Sequence, residues 1–272
     1  MAKRSQAKRK SNKHYQHNET MFGEDIGRPS RKGKRTTADV VEISPRLQHL
    51  QKAYSPKRNP APLSPQNAAQ RKYINAIRHH NLTFGLGPAG TGKSYCAGAL
   101  AAEALESGKI ERIILTRPAV ETGESLGFLP GNLDEKFSVY IDAFRDILNE
   151  RLGGGTVDYC LRHGRIVAAP LAYMRGKTFD QNTFVVLDEA QNTSVAQMKM
   201  FLTRIGENSK VVVNGDVRQS DIKGPNGLAD AVDKLCGLKG VHVHEFEYQD
   251  IVRSGLVKEI VDRYEPYEDE EY

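Results

Sequence analysis

Gly87-Pro88-Ala89-Gly90-Thr91-Gly92-Lys93-Ser94 sets glycines, a lysine and a hydroxyl at the spacing that wraps a backbone around phosphate oxygens. The glycines let N–H groups turn inward, Lys93 reaches toward the β- and γ-phosphates, and Ser94 offers its hydroxyl to Mg²⁺. A helix starting there also presents its N-terminus to the anion, and Tyr95 is counted with the loop as a nucleotide contact. About a hundred residues on, the apolar run Phe184-Val185-Val186-Leu187 ends in Asp188-Glu189. A carboxylate at the tip of a buried strand, Asp188, can hold Mg²⁺ through a water. Glu189 beside it can orient a second water for attack on phosphorus. The two stretches together point to Mg²⁺-dependent cleavage of a nucleoside triphosphate, with ATP expected.

Weaker signals surround this pair. Val211-Val212-Val213 runs into Asn214-Gly215-Asp216-Val217-Arg218-Gln219, where Gln219 could sense loss of the γ-phosphate. Gln70 lies upstream of the loop, where its amide could pair with an adenine edge; an exposed helical glutamine is the competing reading. Arg253 could stabilise transition-state charge or be an ordinary surface arginine. Arg117, in Thr116-Arg117-Pro118, and Arg175 with Lys177, in Tyr173-Met174-Arg175-Gly176-Lys177, put cations on loops suited to the phosphates of a single strand. Aromatic residues for base stacking are sparse there, with only Tyr173 and Phe179 nearby.

To bring these groups together the chain must alternate strands and helices. The pattern predicts a helix over Gln66–Arg78, a strand over Leu82–Leu86, a helix over Lys93–Leu105 and a strand over Arg112–Thr116. Apolar residues at helical spacing from Leu133 to Leu152 predict a long helix closed by Gly153-Gly154-Gly155. Strands follow at Arg165–Ala168, Phe184–Leu187, Val211–Val213 and Val241–Phe246. Ser194 to Gln197 has capping-box form and opens a helix lined by Val195, Met198, Leu202 and Ile205 and stopped at Gly206. A last helix is expected over Val252–Tyr264. Such alternation means an α/β fold with a mostly parallel sheet flanked by helices.

Charge marks the boundaries. Residues 1–58 hold 15 Lys/Arg against 5 Asp/Glu, while the remainder holds 24 against 29. That first stretch is too polar to build a core and is expected to be a disordered basic arm, either a salt-sensitive tether to a phosphate backbone or a solubilising tail. Pro60, Pro62 and Pro65 lead into the globular part, 59–264, and an acidic tail, 265–272, follows. Cys96, Cys160 and Cys236 are expected to be buried thiols rather than a disulfide or zinc framework. Nothing resembles a secretory segment or membrane span, so a cytoplasmic protein is expected.

Seven stretches taken in order resemble the PhoH-like family: the 87–94 loop, Thr-Arg-Pro-Ala-Val-Glu (116–121), Leu-Gly-Phe-Leu-Pro-Gly (126–131), Pro-Leu-Ala-Tyr-Met-Arg-Gly (170–176), Asp-Glu-Ala-Gln-Asn (188–192), Gln-Met-Lys-Met-Phe-Leu-Thr-Arg (197–204) and Asp-Ile-Val-Arg (250–253). The resemblance runs from about Gln66 to Tyr264. It implies a P-loop, RecA-like ATPase similar to the first motor domain of superfamily 1 helicases. By the same resemblance Gln70 reads adenine, Asp188 and Glu189 form the Walker B pair, Gln219 couples γ-phosphate to nucleic acid, and Arg253 is finger-like. It also implies that the Thr116 and Arg175 loops face single-stranded nucleic acid, with RNA favoured over DNA. Helicase motors close nucleotide between two such domains and this chain has one, so a homo-oligomer, such as a hexameric ring, is expected, with Arg253 acting in cis or in trans. The competing class is an ATP-gated nucleic-acid or protein binding module without strand displacement. A small-molecule kinase would need acceptor-pocket and lid residues that are not found, and no further carboxylate cluster suggests a nuclease.

Overall fold

The computed structural model describes residues 58–118, 133–222, 224–252 and 255. All of them lie in one compact unit, 46–272; a first unit, 1–45, is outside the described residues. Helix α1 (Ala68–His79) leads into strand β1 (Leu82–Leu86), helix α2 (Lys93–Glu106) and strand β2 (Arg112–Arg117). Helices α3 (Leu133–Leu152) and α4 (Gly154–Arg162) precede β3 (Ile166–Pro170) and β4 (Thr183–Leu187). Helix α5 (Val195–Leu202), β5 (Lys210–Gly215), α6 (Gly227–Leu235) and β6 (Val241–Glu245) complete the described elements, with single 3₁₀ turns at Leu171–Met174, Ala190–Asn192 and Tyr248–Asp250.

The six strands form one sheet in the order β3-β2-β4-β5-β1-β6, every pairing parallel. Parallel strands need crossovers that cover both faces, so inner strands are apolar throughout rather than alternating. β1 and β4 are buried at every position. Along β4 successive side chains serve opposite layers: Phe184 and Val186 join one core with α1 to α4, and Val185 and Leu187 join the other with α5 and α6. The outcome is a three-layer α/β/α fold of the RecA-like P-loop NTPase class.

Local signals explain most of the elements. Asn67 caps α1 by accepting the Gln70 N–H, and Ser194 and Gln197 form the reciprocal box at the start of α5. The buried face of α5 is Met198 with Phe201, while Leu202 and Ile205 are only partly buried. Two helices depart from the expected pattern. The three glycines after α3 do not all break the chain: only Gly153 takes a positive φ, and Gly154 begins α4, which is held by burial of Val157 and Cys160. Helix α6 has no counterpart in the sequence reading. Asn226 caps it by accepting from the N–H groups of Leu228 and Ala229, and Leu228 and Ala231 anchor it. Cys96 and Cys160 are buried as expected, but Cys236 is exposed, because it sits past the end of α6 rather than on the face that contacts the sheet. The expected disordered arm, acidic tail and most of the final helix fall outside the described residues. Among the described residues no helix is long and apolar enough to cross a membrane.

Candidate nucleotide site

Strand register brings the chemistry to one edge. Leu86 pairs with Gly215, Leu187 with Val213 and with Thr116. The residues just past these positions, Gly87, Asp216, Asp188 and Arg117, therefore meet along the carboxyl ends of adjacent strands, where α/β sheets open to ligands. The Asp188 N–H donates to the Thr116 carbonyl at 3.0 Å, and that of Gly87 to Gly215 at 3.2 Å. Between them opens a cleft of about 290 Å³, lined by the 89–95 loop, Asp188, Glu189, Gln191, Gly215, Asp216 and Gln219.

The loop is shaped before any ligand is considered. Gly92 has φ of 87°, and a Cβ there would lie 2.6 Å from Nε2 of Gln70, so only glycine fits. The Lys93 ammonium donates to the carbonyls of Gly87 and Pro88 at 2.6 and 2.7 Å. Burial holds its pKa below the ordinary lysine value, against the opposing pull of Asp216, Asp188 and Glu189. Such a cation, poorly hydrated and ringed by acids, has much to gain from a phosphate.

Asp188 is almost wholly buried, at 2% exposure, and is held from three sides. Its Oδ1 accepts from the Ser94 hydroxyl at 2.8 Å, Oδ2 takes the Arg117 guanidinium at 2.5 Å, and its backbone is fixed to β2. The Ser94 hydroxyl and Asp188 carboxylate are hard oxygen donors side by side, a set that fits Mg²⁺, which keeps waters and substrate oxygens in the rest of its shell. No group of three His, Cys, Asp or Glu among the described residues offers a metal a complete protein cage. Glu189 adopts φ of 53°, a left-handed backbone uncommon outside glycine, and is exposed. It is one of the residues lining the cleft.

The remaining expected residues fall into three groups. Gln70 is not an exposed helical residue: it is 4% exposed, its Oε1 accepts from the Gln66 N–H, and its Nε2 donates to the Thr91 carbonyl at 3.0 Å. Gln219 is exposed at the cleft, its N–H bonded to the Asp216 carbonyl. Tyr95 lines the cleft but sends its hydroxyl to Glu150 of α3 at 3.0 Å. Arg117, expected on a polymer-facing loop, is directed at Asp188 instead. Arg175 and Lys177 are exposed beyond β3, separated from the β4 tip by β2. Tyr173 beside them is exposed, whereas Phe179 is buried against Phe201 and has no face to offer a base. Arg253 lies outside the described residues; the N–H of Val252 before it donates to the Gly90 carbonyl of the loop at 2.9 Å.

The family described as PhoH-like protein matches residues 62–265. The chain belongs to the PhoH-like family. Relatives of this PhoH-like chain include the PhoH-like protein of Bacillus subtilis (strain 168), 51% identical over 198 residues, covering 72% of this chain and 62% of the relative. The PhoH-like protein of Mycobacterium tuberculosis (strain ATCC 25618 / H37Rv) is 50% identical over 209 residues, covering 76% and 59%. Protein PhoH of Escherichia coli (strain K12) is 46% identical over 211 residues, again covering 76% and 59%. The chain thus spans about three fifths of the length of the curated relatives it matches. Among solved structures, the UvsW helicase of bacteriophage T4 aligns with a TM-score of 0.43 at 13% identity, covering 75% of this chain and 68% of that one. The Pif1 helicase of Candida albicans aligns at 0.36 and 12%, covering 69% and 41%.

Two features of the PhoH-like site escape sequence reasoning. Gln191 bonds both Glu189 and the β5 tip, although the run Asp-Glu-Ala-Gln-Asn shows it in plain sight; only the third dimension gives it partners. Tyr73 of α1 donates to Oδ1 of Asn214 at 2.5 Å, joining the helix of Gln70 to the strand leading to Gln219.

Proposed function

We propose that this PhoH-like P-loop protein is an Mg²⁺-dependent ATPase that acts on single-stranded nucleic acid, RNA before DNA, as a homo-oligomer. The observation that carries the reading is the convergence on one cleft of Lys93, Ser94, buried Asp188 and cleft-lining Glu189. Loop N–H groups and Lys93 hold the β- and γ-phosphates, and Gln70 fixes the loop and the adenine side together. Ser94 and Asp188 hold the Mg²⁺, which supplies charge neutralisation on the phosphate oxygens. Glu189 positions a water in line with the γ-phosphorus and accepts its proton as the bond to the β–γ bridging oxygen breaks; ADP carries that oxygen away. Gln219, on the rim of the cleft, registers the γ-phosphate. Arg253 stabilises the charge of transfer, in cis or in trans.

The polymer reading is supported by exposed Arg175, Lys177 and Tyr173 on one loop, a set of cations with one aromatic face suited to backbone contact more than to base stacking. The test is steady-state ATP hydrolysis without polymer and with poly-RNA, single-stranded DNA or duplex. The expected result is stimulation by single strands, strongest with RNA; equal rates in all four would remove the polymer. A strand-displacement assay on the same preparation separates a motor from a binding module timed by ATP.

A further inference from the structure

Glu189 projects from a left-handed backbone at the surface of the cleft, and something must hold its carboxylate in one place. Gln191, two residues on, is 4% exposed and spends both ends of its amide. Nε2 donates to Oε2 of Glu189 at 2.7 Å, and Oε1 accepts the N–H of Asp216 at 3.1 Å. The strand receiving it is cut to fit: a Cβ on Gly215 would lie 2.7 Å from the Gln191 Oε1 and 3.0 Å from the Gln191 backbone nitrogen. The main chain is tied in the same direction, because the Ser220 hydroxyl donates to the Gln191 carbonyl at 3.1 Å.

We infer that Gln191 is the positioning residue of the hydrolytic base: its amide fixes the Glu189 carboxylate and ties it to the 215–220 segment that carries Gln219. The inference rests on the proposed role of Glu189. A primary amide has one donor end and one acceptor end, so with Oε1 committed to the Asp216 N–H the donor end can only face the carboxylate. That donor occupies Oε2 and leaves Oε1 of Glu189 for the water's proton. Any displacement of the Gly215–Asp216 tip moves the amide and with it the base. A shift of about 1 Å in a reacting group is enough to lower a rate about a hundredfold.

A buried glutamine could instead serve only to satisfy the Asp216 N–H, and the substitutions separate the two roles. Gln191→Glu keeps an acceptor for that N–H but sets a second carboxyl against Glu189; Gln191→Met keeps the volume and removes both bonds. Each is measured in the full chain for kcat and for Mg²⁺-dependent binding of a fluorescent ATP analogue. The expected result for both is a kcat lower by about 10- to 100-fold with analogue affinity within about twofold of the parent. Gln191→Asn, one methylene shorter and still an amide, is expected to recover part of the rate. In a Glu189→Gln background, Gln191→Met is expected to add less than about twofold, because the group it positions is already gone. A kcat within twofold of the parent in Gln191→Met or Gln191→Glu overturns the inference. So does a loss in which rate and analogue affinity fall together, and so does failure of all three variants to fold, which would mark Gln191 as structural. If Glu189→Gln itself hydrolyses ATP normally, the base assignment fails, and that result is distinct from any of these.

Discussion

The tips of β1, β4 and β5 and the tip of β3 lie along one edge of the same sheet, yet their side chains are held in opposite ways. On the first side Lys93, Asp188, Gln70 and Gln191 are buried or half-buried and every one is hydrogen-bonded to another residue of the site. On the second, Tyr173, Arg175 and Lys177 stand exposed on a turn that follows a 3₁₀ segment. The contrast teaches what each side can recognise. Preorganised, desolvated groups suit one small anion of fixed shape, because their charges act in a low-dielectric cleft and need no rearrangement. Exposed surface cations suit a long polyanion read through its repeating charge, at a price in salt sensitivity.

The largest expected break in this contrast is Lys93→Ala, which should weaken Mg²⁺-dependent nucleotide binding by more than about 100-fold, read as loss of nucleotide-induced thermal stabilisation, while polymer binding without nucleotide changes little. Arg117 then decides where the line between the sides falls. Its place on Asp188 predicts that Arg117→Ala lowers the stability of the nucleotide-free protein by ~2 kcal/mol in chemical denaturation. That is less than for a fully buried pair, because the guanidinium is 27% exposed. Polymer affinity should stay within about twofold, whereas a fall matching that of Arg175→Ala would return Arg117 to the polymer side. Arg175→Ala with Lys177→Ala should reduce single-strand affinity by roughly tenfold and flatten the slope of log affinity against log salt by about 1.4, from ~0.7 per phosphate contact. Nucleotide binding should be untouched.

The smallest effect concerns β6, at the sheet margin beside β1. His244 is 8% exposed, its ring stacks on Tyr73, and burial with neighbouring His242 holds its pKa below the ordinary histidine value. The unfolded chain therefore takes up a proton first as the pH falls below about 6.5, and stability is lost until the pH reaches the depressed folded value. His244→Phe keeps an aromatic ring without the proton, so thermal midpoints of variant and parent should diverge in the variant's favour between pH 7 and 5. Parallel curves would assign the acid lability elsewhere.

How far the sequence revealed all this depended on whether a signal was local. The P-loop, the capping box of α5 and the strands β1 and β4 are written in adjacent residues, and their positions match the expected ones within a residue or two. The glycine triplet closes α3 as expected but conceals α4, because glycine disfavours helices on average, while here buried Val157 and Cys160 outweigh that preference. Arg117 and Gln191 were visible as letters, but their roles depend on which strand tip lies opposite, and that is fixed by the order β2-β4-β5. Gln70 needed the fold for the same reason, since Thr91 is 21 residues away and comes within reach only through β1.

The most direct test of the account is single-turnover hydrolysis by Glu189→Gln at saturating Mg²⁺ and ATP, with analogue binding measured on the same sample. The variant is expected to retain affinity with a hydrolysis rate lower by about 10²- to 10⁴-fold, with or without single-stranded RNA. Turnover at the parent's rate would contradict it.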